Sequence, residues 1–133
     1  MNIIIYTNET GNVSVTFPTG EISIEEVLTK NCPTHAIIID SCTLPQGADA
    51  EFFDAWVFNG TTISIDFVKA QTGYLTQYNA KALQVAQTRQ LNTLAGLPNA
   101  VDDATWLAKL SADRNAITNA TTTDGLVAIS LPT

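Results

Sequence analysis

Residues 58–71, FNGTTISIDFVKAQ, constrain this chain more than any other stretch. Asn59-Gly60 between two β-rich runs is a strong hairpin signal, because a type I′ turn needs positive φ at both central residues. It predicts strands near 55–58 and 61–65. Helical spacing then begins at once, with only Asp66 between. The Asp66 carboxylate is suited to end the strand and to cap the helix, where orphan amides and the helix dipole favour an anion. The helix can run to about Gly96, a natural residue just past a helix end, with Pro98 beyond it. About thirty residues at ~1.5 Å each span ~45 Å, more than a domain this small can cover. Part of the helix must therefore project or pair.

Its pattern favours pairing. Val68, Gln71, Leu75, Tyr78, Ala82, Val85, Arg89 and Asn92 fall at a/d spacing, apolar in the middle and polar at the ends. Residues 102–121, DDATWLAKLSADRNAITNAT, offer a second helix, with Asp102 or Asp103 as its N-cap. Trp106, Leu107, Leu110 and Ile117 lie on one of its faces. A helical hairpin closed by LPNAV is the first reading, and coiling between chains is the second. Both can hold, since two helices cannot bury two faces alone. The face expected to meet a partner holds Val68, Leu75, Tyr78, Ala82 and Val85. The closing DGLVAISLPT is a strand or a docked tail.

The first part of the chain reads as β-rich. NIIIYT and VSVTF are strand candidates joined by NETGN, and Val13, Val15 and Phe17 alternate with Ser14 and Thr16. SIEEVLTK carries a capping box, Ser23 with Glu26 three residues on, and ends at Asn31 and Pro33. AIIID follows as a buried strand. Phe52, Phe53 and Trp56 form an aromatic segment that plugs one end of the sheet or stacks on a small ligand. The expected fold class is α+β: a small β-rich head over 1–65, a helical hairpin over 66–122, and a tail or strand over 123–133.

Charge divides the chain in the same place. Of its 13 acids, nine lie at or before Asp66, where Lys30 is the only base, so that part carries −8. From Phe67 onward five bases face four acids, leaving +1. No basic stripe exists to neutralise phosphates, which argues against nucleic acid. Charged residues make up only 14% of the chain, with threonine and asparagine in their place. A polar surface this poor in charge is weakly protected against association. The N-terminus lacks a basic n-region and reads as a strand. No run of ~18 apolar residues appears, so no membrane span is expected.

Nothing in the sequence calls for catalysis, a metal or a cofactor. His35 is the only histidine and has no partners at zinc spacing. With Cys32 and Asp40 it can be written as a nucleophile set, but a turn residue beside a structural thiol is the better reading. Glu25–Glu26 and Asp102–Asp103 are neighbours in sequence. On a helix they point ~100° apart, so they are first-turn charges and not facing dyads. Cys32 and Cys42 flank an extended strand that holds them apart, so free thiols are expected. Four Asn-x-Ser/Thr triplets begin at Asn8, Asn12, Asn59 and Asn119. In a chain this rich in both residues they are expected by chance.

The order of these segments resembles a group of small phage and prophage proteins encoded near tail-fibre genes. The matching features are IIIYTNETGNVSVTFP, KNCPTHAIIID with a following LP, FFDAWVF, IDFVKAQ opening a long helix, WLAKLSADRNAIT, and ATTTDGLVAISLP. The layout is also similar to tail-fibre assembly chaperones. The resemblance covers nearly the whole chain through order and spacing; each motif is short. It implies a non-enzymatic tail-fibre accessory or assembly chaperone with no catalytic residues. Its partners would be tail-fibre or other tail proteins, in a homo- or hetero-oligomer. It would act in the bacterial host cytoplasm during assembly, or in the virion tail. The alternative is a small glycan- or ligand-binding module that stacks its ligand on Phe52, Phe53, Trp56 and Trp106.

Overall fold

The computed structural model describes all 133 residues, Met1–Thr133. The fold is α+β, an N-terminal sheet followed by a long helix and a second helix. The chain divides into two compact units, Met1–Asp66 and Phe67–Thr133.

The first unit is organised by β1 (Asn2–Thr7). It pairs antiparallel with β2 (Val13–Thr16) on one side and β3 (Ile37–Asp40) on the other, so the sheet order is β2-β1-β3. Ile3, Ile4 and Ile5 are all fully buried. Successive side chains on a strand point to opposite faces, so both faces of the central strand are covered. On the Ile4 face lies a core of Ile4, Val27 and Ala36, with Tyr6, Ile24, Leu28, Cys32 and Ile38 packed around it. Val27 and Leu28 come from α1 (Ile24–Asn31), whose first turn is closed by the Glu26 amide donating to Ser23 Oγ at 3.3 Å. Asp40 Oδ1 accepts from the Cys42 amide at 3.0 Å and begins a single 3₁₀ turn, Ser41–Thr43. That bond, and then the nearby chain N-terminus, hold the Asp40 carboxyl below its ordinary range. Cys32 and Cys42 are free thiols.

The aromatic segment folds as a one-turn helix α2 (Ala48–Glu51) and a 3₁₀ turn (Phe53–Ala55), and leads into a two-stranded sheet of β4 (Trp56–Phe58) and β5 (Ile63–Ile65). The hairpin expected at Asn59-Gly60 forms, but its turn is not type I′. Phe58 pairs with Ile63, so four residues make the loop. Gly60 has φ +100° while no residue other than glycine has positive φ. The reason is the Asn59 side chain. Its Oδ1 accepts from the Thr61 amide at 3.0 Å, Thr61 Oγ1 at 3.0 Å and the Thr62 amide at 2.8 Å. This Asx arrangement supplies what a tight backbone turn would otherwise supply.

Asn8 does the same between β1 and β2, accepting from the Thr10 amide at 3.0 Å, Thr10 Oγ1 at 2.6 Å and the Asn12 amide at 3.1 Å. Two of the four Asn-x-Ser/Thr triplets are thus turn motifs, and composition alone does not account for them. At Gly60 a Cβ would meet no atom within 4 Å, so the restriction there is backbone strain and not a clash. Gly60→Val is expected to cost about 1–3 kcal/mol, read as a lowered urea midpoint. An unchanged midpoint would exclude this turn geometry.

The second unit holds α3 (Phe67–Leu94), α4 (Asp103–Asn119) and α5 (Thr123–Val127). β5 ends at Ile65 and α3 begins at Phe67, so Asp66 is the single residue between them. α3 has 28 residues. At ~1.5 Å each its length is ~42 Å. It stops in a Schellman motif: Gly96, at φ +72°, donates its amide to Thr93, and Leu97 donates to Asn92. Asp102 caps α4, accepting from the Thr105 amide at 2.7 Å, and this bond lowers its pKa. The final segment is a helix and not a strand. Thr122 Oγ1 caps it by accepting from the Gly125 amide at 3.1 Å, and Leu126 is fully buried. No helix is long and apolar enough to cross a membrane.

Candidate functional site

α3 and α4 form an antiparallel hairpin held by polar contacts along its length. At the open end, Gln71 Nε2 donates to the carbonyls of Ile117 at 2.8 Å and Thr118 at 3.0 Å, in the last turn of α4. Tyr74 donates its hydroxyl to the Ile129 carbonyl, tying down the segment after α5. In the middle, Tyr78 donates to Asp113 Oδ2 at 2.6 Å, and Lys109 Nζ reaches the same oxygen at 2.7 Å. Arg114 Nε donates to Asn79 Oδ1 at 2.8 Å. At the closed end, Arg89 Nη2 donates to the Val101 carbonyl at 2.7 Å and to Asp103 Oδ1 at 2.6 Å. Its guanidinium lies 5.1 Å from the centre of the Trp106 ring, a cation–π contact.

The Tyr78–Asp113–Lys109 group is the most perturbed titrating cluster of this unit. Burial, and then the hydrogen bond to the Asp113 carboxylate, push the Tyr78 hydroxyl well above the ordinary tyrosine value. For Asp113 burial pushes upward, but the hydrogen bonds from Lys109 and Tyr78 and the Lys109 charge outweigh it, so its pKa is lowered. The two shifts act at opposite ends of the pH scale. A depressed acid stabilises the fold above its unfolded pKa and loses that contribution as pH falls, so hairpin stability should decline below about pH 4. A raised tyrosine stabilises below its unfolded pKa and loses that contribution as pH rises, so stability should decline again above about pH 10. Urea midpoints followed by circular dichroism across pH test this, and Tyr78→Phe should remove the alkaline arm and weaken the acid one, where Lys109 remains.

The residues expected to form the partner face do not share one environment. Tyr78 and Ala82 are buried, Leu75 and Val85 are half-buried, and Val68 is 69% exposed. The central pair is consumed within the folded chain, where alanine permits close packing and the Tyr78 hydroxyl reaches Asp113. On α4 the matching buried residues are Leu110 and Ile117. Trp106 is half-buried under Arg89, while Leu107 is exposed.

The aromatic stacking site does not form. Trp56 is buried, its indole Nε1 donating to the Asp49 carbonyl at 2.9 Å, and Phe53 packs against it edge-on with ring centres 4.8 Å apart. Phe52 is half-buried, and Trp106 belongs to the other unit with its ring beneath Arg89. These four residues therefore offer no shared flat platform to a sugar. The suggested nucleophile set is engaged elsewhere too. His35 Nε2 donates to the Thr7 carbonyl at 2.9 Å, and Asp40 accepts from the Cys42 amide. Asp102 and Asp103 also part company, one capping α4 and the other meeting Arg89.

What the structure leaves open is the closed end of the hairpin. Between α3 and α4 runs a groove of about 350 Å³, whose lining includes Ala86, Thr93, Leu94, Trp106 and Leu107. Leu94, Leu97, Val101 and Leu107 are all 45% exposed or more. Arg89 is the only cation on the groove and Asp103 neutralises it, so the groove carries no net charge. The sequence reading missed this end, because it took Trp106 and Leu107 together as one inward face. The signal was the unabsorbed Leu94, Leu97 and Val101 around the turn. No family model matches the chain, and no curated protein or solved structure is significantly similar to it.

Proposed function

We propose that this chain is a non-enzymatic accessory of a bacteriophage tail fibre, acting by protein–protein binding as an assembly chaperone or a small fibre subunit. The observation that carries the reading is the open apolar groove at the closed end of the hairpin, edged by Leu94 and Leu107. Exposed apolar surface concentrated at one place is the mark of an interaction site. A groove between two helices suits an amphipathic segment that inserts one or two large side chains. The layout that carries the sequence resemblance, a β-rich part followed by two helices, supports the tail-fibre assignment. The protein works in the host cytoplasm during assembly or stays on the virion tail.

Co-expression with the neighbouring fibre protein tests the reading. The wild-type chain should raise the yield of soluble, trimeric fibre, and Leu107→Glu should abolish that gain while leaving circular dichroism unchanged. Equal fibre yields with and without the chain, together with no association in a pull-down, would overturn the proposal. Mass spectrometry of purified particles separates the two roles: stoichiometric presence marks a subunit, absence a chaperone.

A further inference from the structure

α3 carries a second apolar stripe, set about 140° round the helix from Tyr78 and Ala82 at ~100° per residue. It consists of Ala80, Leu83, Gln87, Gln90 and Leu94, with Leu91 at its edge. Leu83 is 61% exposed, Leu91 66% and Leu94 77%, and the other three are exposed. No residue of the stripe is charged, and Gln90 and Leu94 border the groove as well, so a second copy seated here leaves the Trp106 and Leu107 side of the groove to a fibre segment.

We infer that this stripe pairs antiparallel with the same stripe of a second copy of the chain. The stripe is self-complementary. Ala80, Gln87 and Leu94 fall at heptad position a, and Leu83 and Gln90 at d. In an antiparallel pair a meets d of the partner. A two-fold axis beside residues 88 and 89 then sets Leu83 against Leu94 of the second copy, and Gln87 against Gln90 of the second copy. Leucine meets leucine at both flanks and amide meets amide in the centre, where a polar pair fixes register. A two-fold contact requires this property, because one patch must serve as both halves.

Charge favours the same antiparallel arrangement. Residues 1–66 carry −8, and the chain passes from them into α3 at Phe67. Parallel pairing would set two such segments side by side. In the antiparallel register each Phe67 lies ~32 Å from the axis, so the two junctions are ~64 Å apart, many times the ~8 Å over which charge acts at physiological salt. Lys81 and Arg89 fall at heptad positions b and c, turned away from the seam, and Arg89 is already neutralised by Asp103. No like charges meet. A strongly charged partner, a nucleic acid or an anionic membrane would find nothing on the stripe to pair with.

Sedimentation equilibrium on the purified full chain over a concentration series tests the inference without any fibre protein, so its outcome is separate from that of the fibre reading. The wild type should approach twice the monomer mass. Leu83→Glu should be monomeric, and Leu83→Glu combined with Leu94→Lys should recover the dimer, because each glutamate then faces a lysine of the other copy. Both positions are largely exposed, and circular dichroism confirms that the helices persist. With Cys32 and Cys42 replaced by alanine, a mixture of Leu83→Cys and Leu94→Cys chains should cross-link on mild oxidation far more than either alone. A wild type of monomer mass throughout overturns the inference. A dimer indifferent to Leu83→Glu, or a double variant that stays monomeric, overturns the register.

Discussion

Tyr78→Asp unfolds the helical hairpin. Tyr78 has no exposed surface, and its hydroxyl lies 2.6 Å from Asp113 Oδ2. Aspartate there removes a large buried ring, puts a second carboxylate into the same space, and leaves it short of reach for Lys109, which already serves Asp113. Cavity, burial of charge and like-charge repulsion act together, and such combinations cost about 4 kcal/mol or more. That is a large share of the ~5–15 kcal/mol that holds a typical domain. The expected result is loss of most far-ultraviolet helical signal at neutral pH. Tyr78→Phe keeps the ring and forfeits only the hydrogen bond to the carboxylate, for about 1.5–3 kcal/mol, and should stay helical. Wild-type helicity in Tyr78→Asp would show that this face of α3 is not core.

Ile4→Ala is the corresponding test of the first unit. Ile4 is fully buried on the central strand, where Val27 of α1 and Ala36 meet it. Removing three carbons leaves a void that a strand paired on both sides cannot collapse to fill, so the cost should be about 2–5 kcal/mol. Ile24→Ala, at the half-buried edge of the same cluster, should cost less. Amide hydrogen exchange distinguishes them: in Ile4→Ala the protected amides of β1 should exchange much faster, and in Ile24→Ala only modestly. Equal effects would mean that this cluster is not packed around β1.

Local chemistry was readable where one residue decides one feature. Ser23 and Asp102 cap the helices the sequence assigned to them, and Gly96 ends α3. The hairpin at Asn59-Gly60 was readable as a hairpin, but its turn type was not, because a side chain competed with the backbone for the turn amides. The inward face of α3 was harder still. The helix bears two apolar stripes, and the one that became core holds Ala82 and Tyr78, while the larger leucines at 83, 91 and 94 stay outside. Hydrophobicity alone favours the leucines. What decides is the neighbour: Asp113 on α4 offers the tyrosine hydroxyl a partner, and alanine leaves room for a second helix. For the aromatic segment the sequence left packing and ligand stacking both open, and packing won at Trp56, whose indole found its partner in the Asp49 carbonyl and turned inward.

The two outermost hydrogen bonds between α3 and α4 come from Gln71 and Arg89. They are eighteen residues apart, five full helical turns, so they point the same way. One grips the carbonyls that end α4 and the other grips the loop and first turn that begin it. A slip of α4 by one turn, ~5.4 Å, would break both at once. The hairpin is therefore a latch with a single closed position. A force that slides one helix along the other must defeat both grips together, whereas a force that peels the open end meets them one after the other.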